Sequence, residues 1–337
     1  MNKIDLTIVI PVYNSQNTIE PLLLSINNSS SVIFNRLEVI VVDDGSRDNT
    51  LKITKDISSK LAFKIKIFSF KKNAGPAKAR NFGAKKAQGK YLLFLDGDVK
   101  LKKNTLFNVF ELIKTNRVKA FTGIWDYHQK STSFFPQFKA LRDWSYWFVE
   151  RKLDSHYYLF STRIAGIEKK LFQQLNGFVE NYKETTMEDI EFTYRIEKKA
   201  PIKFCSNIIV NHEFEDFFPI AIKYFKRSRD WIKLYLKRLR FDPVTTSGRE
   251  AFKSILSTII LGLILLTFLV PVIIIPTIIL FLIYSYFEIK FWNFILYKKG
   301  FLFLFRSIFT SIILYQFINA GAAWGCFLLI IKGDNAP

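Results

Sequence analysis

From Ser254 to Phe287 the chain runs 34 residues without a charged side chain, and from Ser307 to Ile331 another 25. Runs of that length constrain the fold more than anything else here, because they match the thickness of a bilayer. As one helix the first would be about 50 Å long, beyond a hydrocarbon core of about 30 Å. Pro271 and Pro276 lie near its middle, so a hairpin of two spans is expected at 254–270 and 272–287, with a third span at 307–331. The loop 288–306 carries Lys290, Lys298, Lys299 and Arg306 against Glu288, which places it in the cytoplasm by the positive-inside rule. A re-entrant hairpin in 254–287 satisfies the same charges. The small-residue stretch "GAAWG" at 321–325 suits close packing against another helix or a plain lipid-facing surface.

The segment before these runs is basic and amphipathic. Lys223 to Arg240 holds eight basic residues and one acidic, interleaved with aromatic and aliphatic side chains at helical spacing. Such a segment lies on an anionic membrane surface or forms an ordinary surface helix. Residues 134–152 repeat the character more weakly. The formal net charge of +20 points to an anionic partner. A nucleic-acid partner suits the composition but sits oddly beside a bilayer. Cys205 and Cys326 form no CxxC, and His128, His156 and His212 form no HxxxH, so neither a disulfide framework nor a zinc site is expected. The N-terminal "MNKIDLTIVIPVYN" has too short an apolar run to read as a signal peptide.

The first half alternates β-rich and helical runs. Strands are expected at 6–10, 37–42, 63–68 and 91–95, with helices at 17–28, 49–60 and 75–88 between them. Near-continuous apolar strands separated by helices predict an α/β fold, a mostly parallel sheet with helices on both faces. Such sheets bind ligands outside the carboxyl ends of their strands. Three of those ends carry polar clusters: "PVYN", "DDGS" and "DGD". No GxGxxG follows the first strand and no GxxxxGK[ST] occurs, which argues against a dinucleotide fold and a P-loop NTPase.

Five motifs in order, "IVIPVYN" (8–14), "EVIVVDDGSRDNT" (38–50), "NAGPAKARNFGAKKAQGKYLLFLDGDV" (73–99), "LNGF" (175–178) and "EDIEFTYRI" (188–196), resemble a family 2 glycosyltransferase of GT-A fold with C-terminal transmembrane helices. The resemblance implies a nucleotide-sugar donor and a divalent cation, Mg²⁺ or Mn²⁺, held by carboxylates against the leaving diphosphate. It makes Asp98 the direct metal ligand, with Asp96 touching ribose or metal, and lets the backbone at Gly97 approach the donor. It assigns base recognition to Asp44 beside Asp43, and a pocket for the base to Pro11, Tyr13 and Asn14. Arg80 would stand near the nucleotide and His212 near the metal or diphosphate. Asp189 would be the general base and Glu188 would orient the acceptor. Each residue also has a plainer reading. Asp43 and Asp44 suit helix caps and turns, Tyr13 suits the core, Arg80 suits a solvated helix face, and Glu188–Asp189 complement a helix dipole. Arg227 and Arg229 would meet a lipid phosphate or the donor diphosphate. The QxxRW of processive synthases is absent from "FKRSRDW", which argues against a processive enzyme.

The expected organisation is a catalytic domain over 1–215, a basic interfacial segment over 216–250 and a membrane region over 251–332. The expected function is transfer of a sugar, from a UDP-sugar in the first instance, to a lipid-linked glycan at the cytoplasmic face of a cell membrane. Transfer to bare polyprenyl phosphate and a non-catalytic scaffold stay open. A sugar nucleotidyltransferase would need a Gly-rich signature after the first strand, and "PVYNSQNT" lacks it.

Overall fold

The computed structural model describes residues 4–28, 31–151, 159–180, 187–242 and 246–332. These fall into two compact units, one of residues 1–129 with 156–213 and the other of 130–155 with 214–337. Residues 130–155 thus group with the apolar C-terminal part. His156 and most of the 180–187 loop lie outside the described residues.

The first unit is built on one eight-stranded sheet. Its strands are β1 (Leu6–Val12), β2 (Leu37–Asp43), β3 (Lys64–Ser69), β4 (Tyr91–Leu95), β5 (Val99–Leu101), β6 (Ala120–Asp126), β7 (Ile164–Glu168) and β8 (Ile202–His212). Their order is β3-β2-β1-β4-β7-β6-β8-β5. The first four strands are mutually parallel, β7 is antiparallel to both its neighbours, and β6 and β8 are parallel. The sheet is therefore mixed and mostly parallel. The helices α1 (Ile19–Asn27), α2 (Thr50–Ser58) and α3 (Pro76–Lys86) follow the first three strands, as the alternation predicts. β1, β2 and β4 are buried throughout, which explains their lack of a polar face. Because β1 pairs with β2 on one side and β4 on the other, the chain reverses its direction of winding there. That switch point is where an open α/β sheet leaves a crevice. Further helices are α4 (Thr105–Lys114), α6 (Lys169–Gln174) and α7 (Glu188–Glu197).

The second unit is helical: α5 (Phe134–Phe148), α8 (Phe217–Arg238), α9 (Gly248–Thr267), α10 (Ile274–Lys299) and α11 (Phe301–Lys332). Three helical stretches, Gly248–Thr267, Pro271–Lys299 and Phe301–Ile331, are long and apolar enough to cross a membrane. The break between α9 and α10 falls at Pro271, whose 3₁₀ turn runs to Ile273. Pro276 sits in the first turn of α10, where a missing N–H costs no helical bond. The 288–306 segment is not a loop. It is helix on both sides of Gly300, which takes a positive φ of 81°. Glu288 explains the continuation, for it is buried in an ion cluster: Lys253 Nζ lies 2.7 Å and Arg142 Nη1 3.1 Å from its carboxylate. Arg142 also meets Glu150 at 3.0 Å, Lys253 meets Glu250 at 2.5 Å, and the hydroxyls of Tyr146 and Tyr315 donate to Glu250. The "GAAWG" stretch is a seam. A Cβ on Gly321 would stand 2.2 Å from the Phe225 carbonyl oxygen, and one on Gly325 2.5 Å from that of Arg229. Helix α8 therefore packs against α11 backbone to backbone.

Candidate functional site

Parallel strands bring their carboxyl ends to one edge, and the polar clusters at the ends of β1, β2 and β4 meet there. Pro11 lies within β1, opposite Val42. Tyr13 follows it and is 43% exposed, so its ring offers a stacking face rather than core packing. Asn14, at a φ of 50°, joins the loops after β1 and β2. Its N–H donates to Ser46 Oγ and its Oδ1 accepts from the Arg47 N–H, both at 2.9 Å.

The two aspartates ending β2 are engaged within the protein. Asp43 accepts from the Ser46 N–H at 3.1 Å and from Ser69 Oγ at 2.8 Å. Asp44 accepts from the N–H groups of Ala74 and Gly75 at 2.8 and 2.9 Å, across from the start of α3. Burial raises the Asp44 pKa above the ordinary value; the charge of Asp43 adds to this, and those two N–H bonds do not cancel it. Both residues are 2% exposed, so here they shape the rim of the crevice. Gly97 makes its close approach to the end of β1, where a Cβ would come within 3.0 Å of Val12 Cγ1 and 3.2 Å of Pro11 O.

Arg80 is the hub of the edge. It is 1% exposed, not a solvated helix charge. Its Nη2 donates to Asp96 at 2.7 Å and its Nη1 to Glu188 at 2.9 Å. Burial opposes its charge, and the two carboxylates outweigh that to raise its pKa. One guanidinium thus ties the strand-end "DGD" to the first turn of α7. Asn81 does the same for "LNGF": its amide donates to Phe178 O and its Oδ1 accepts from the Phe178 N–H, at 2.8 and 2.9 Å. Asp189 follows on α7, half-buried, with one oxygen accepting from the Ile190 N–H at 2.8 Å.

His212 reaches the same edge by a different route. It ends β8, and β8 pairs with β5 so that His212 stands opposite Val99, next to Asp98. Its Nε2 lies 3.4 Å from Asp98 Oδ2, with side chains 11% and 55% exposed respectively. Desolvation pushes the Asp98 pKa up. The hydrogen bond and charge of His212, with the charge of Arg163, outweigh it and hold Asp98 at about 2. Asp98 is therefore an anion with an accessible face. The three expected ligands do not converge, since Asp96 is turned to Arg80. Among the described residues no group of three His, Cys, Asp or Glu side chains is placed to hold a metal ion. The Asp98 carboxylate suits Mg²⁺ or Mn²⁺, which take few protein ligands and complete their shell with substrate phosphates; His212 would join it only as a neutral imidazole.

Arg227 and Arg229 lie on α8 of the second unit, where Arg229 donates to Asp230 at 2.6 Å. One residue at the edge escaped the sequence reading. Arg163 precedes β7, and only the pairing of β7 with β4 reveals it.

Known proteins similar to this chain identify its family and fold. Over 98 residues, 29% of this chain and 38% of the relative, the sequence is 41% identical to an uncharacterized glycosyltransferase of Haemophilus influenzae. Over 100 residues, 30% of this chain and 17% of the relative, it is 37% identical to the poly(ribitol-phosphate) beta-N-acetylglucosaminyltransferase TarS of Staphylococcus aureus. The matched stretch thus spans well under two thirds of either relative. The solved mannosyltransferase PcManGT from Pyrobaculum calidifontis, in complex with GDP-Man and Mn²⁺, shares the fold. It superposes with a TM-score of 0.59 at 14% identity, over 97% of this chain and 88% of that one. Residues 7–175, half of the chain, match the family described as glycosyl transferase family 2, and the chain belongs to that family.

Proposed function

We propose that the protein is a membrane-bound, inverting glycosyltransferase that moves a sugar from a nucleotide donor, read first as a UDP-sugar, to a hydroxyl of a lipid-linked glycan. The observation that carries this reading is the Arg80 bridge, which joins the donor-side Asp96 to Glu188, the neighbour of Asp189. A bare phosphate acceptor is already ionised and needs no base; an intact Glu188–Asp189 pair favours a hydroxyl. Asp189 takes the hydroxyl proton as the oxygen bonds to the anomeric carbon. The bond from that carbon to the diphosphate oxygen breaks on the opposite face through an oxocarbenium-like state, which inverts the centre. Asp98 and His212 would hold the divalent ion, which neutralises charge on the departing diphosphate. Tyr13, with Pro11 and Asn14, would receive the base above the rim formed by Asp43 and Asp44. Glu188, fixed by Arg80, orients the helix that presents the base. Arg227 and Arg229, on the basic helix, would face lipid phosphate, with the catalytic unit on the cytoplasmic side of a cell membrane anchored by α9–α11.

The test is thermal stabilisation of the detergent-solubilised chain by UDP, GDP and dTDP, each with Mn²⁺ or with EDTA, alongside Asp98→Ala. A ligand that binds only the folded state raises the transition by mass action. A metal-dependent rise with one nucleotide, lost in Asp98→Ala, supports the donor site. A folded protein that responds to none of the three would be a scaffold.

A further inference from the structure

We infer that Arg163 is the guanidinium that binds the diphosphate of the nucleotide donor. The inference rests on the donor-site reading above and adds a residue that reading lacks. The need is electrostatic. Asp96, Asp98, Glu188 and Asp189 are carboxylates of one sheet edge and its adjoining helix, and the buried Arg80 directs both its Nη groups at two of them. A single divalent ion leaves such an edge anionic, and the incoming diphosphate adds further negative charge. A second fixed cation there would favour nucleotide binding.

Arg163 is placed to supply it. It occupies the corner of a reverse turn closed by the Ile164 N–H donating to Ser161 O at 3.0 Å. Ile164 stands opposite Leu95 in the β4–β7 pairing, so Arg163 is level with Asp96 on the adjacent strand. Its guanidinium carbon lies 4.8 Å from the ring centroid of the buried Trp125, a stacking contact that fixes the group while leaving the side chain half-exposed. The turn is also tied to the base. The Phe160 N–H donates to Thr193 Oγ1 at 2.9 Å, and that hydroxyl donates to Asp189 O at 2.7 Å. A planar fork of donors held this way matches two oxygens of a diphosphate, which a lysine does not.

The experiment measures affinities of the full chain in detergent with Mn²⁺ for UDP, GDP and dTDP, and for the nucleoside of the best binder by competition. It uses wild type, Arg163→Met and Arg163→Lys. Loss of a charged bidentate contact should weaken the diphosphate at least about tenfold in Arg163→Met, leave the nucleoside within about twofold, and give Arg163→Lys an intermediate value. The ligand-free thermal transition confirms that each variant is folded, and Arg163→Lys carries the test if Arg163→Met is not. Equal loss for diphosphate and nucleoside, or no loss in either variant, overturns the inference while the donor site stands. A wild type that binds none of the three diphosphates sinks the donor-site reading, and this inference with it.

Discussion

Arg80 and Arg142 invite comparison. Each is an arginine almost removed from solvent, 1% and 6% exposed, and each is clamped by carboxylates from distant parts of the chain. Their surroundings differ. Arg80 sits behind an open edge: its partner Asp96 keeps 29% of its side chain exposed, and the neighbours Asp98 and Asp189 are reachable. Arg142 sits in a closed cluster whose carboxylates, Glu150, Glu250 and Glu288, are at most 11% exposed, with Lys253 completely buried among them. One ion pair organises the open edge that we propose as the donor site. The other joins α5 to α9 and α10 at the centre of an otherwise largely apolar helical unit. The same bond type stands at an open, accessible edge in one place and fixes helix registry in the other. A buried pair adds little net stability over an apolar one, but removing one partner is costly.

The comparison sharpens most at the open edge. Asp189→Asn should lower turnover about 10²- to 10⁴-fold, the usual worth of a positioned base, without moving the thermal transition or the affinity for UDP. Unchanged turnover would remove Asp189 from the reaction. In the closed cluster Arg142→Met should cost about 3–5 kcal/mol of stability by stranding buried glutamates, and pairing it with Glu288→Leu should recover part of that. Both variants should bind nucleotide like wild type once folded. If Arg142→Met instead alters nucleotide affinity at full stability, the division between the two arginines breaks down. Gly325→Leu, which wedges α8 off α11, should cost about 1–3 kcal/mol as an overpacked contact, read by denaturant titration in detergent.

The smallest effect tests a third buried charge. Glu38 accepts from Thr7 Oγ1 and the Gln88 N–H at 2.9 Å and pairs with Lys66 at 2.6 Å. Desolvation raises its pKa, but these partners win and the net shift is downward. A depressed folded-state pKa gives stability that is present above the unfolded value, about 4.3, and is lost as pH falls from there through the lower folded value. Wild type should therefore lose stability below that pH more steeply than Glu38→Gln; parallel curves would show that Glu38 contributes no pH dependence.

Sequence legibility follows the range of the interactions. The four parallel strands, their helices and the polar carboxyl ends were readable, because apolar runs and turn residues are local signals. So was the break at Pro271. The partners of Arg80 were not readable: "AKARN" looks like an exposed helix face until Glu188, far along the chain, closes over it. Arg163 carries no motif, and its place depends on β7 running antiparallel between β4 and β6. Helix α10 continues through a stretch that charge alone marked as a loop, because Glu288 finds cations on α5 and α9. The seam at Gly321 and Gly325 showed in composition, but the helix it accepts did not.

That seam has a bearing on biogenesis. The basic helix α8 leaves the ribosome well before the glycines that receive it, and α9 and α10 are made in the interval. Its final seating is thus a late event, completed only when the last helix has been synthesised and folded back. Until then the helix lacks the backbone contacts at Gly321 and Gly325, and a lipid surface or a chaperone is the natural temporary cover.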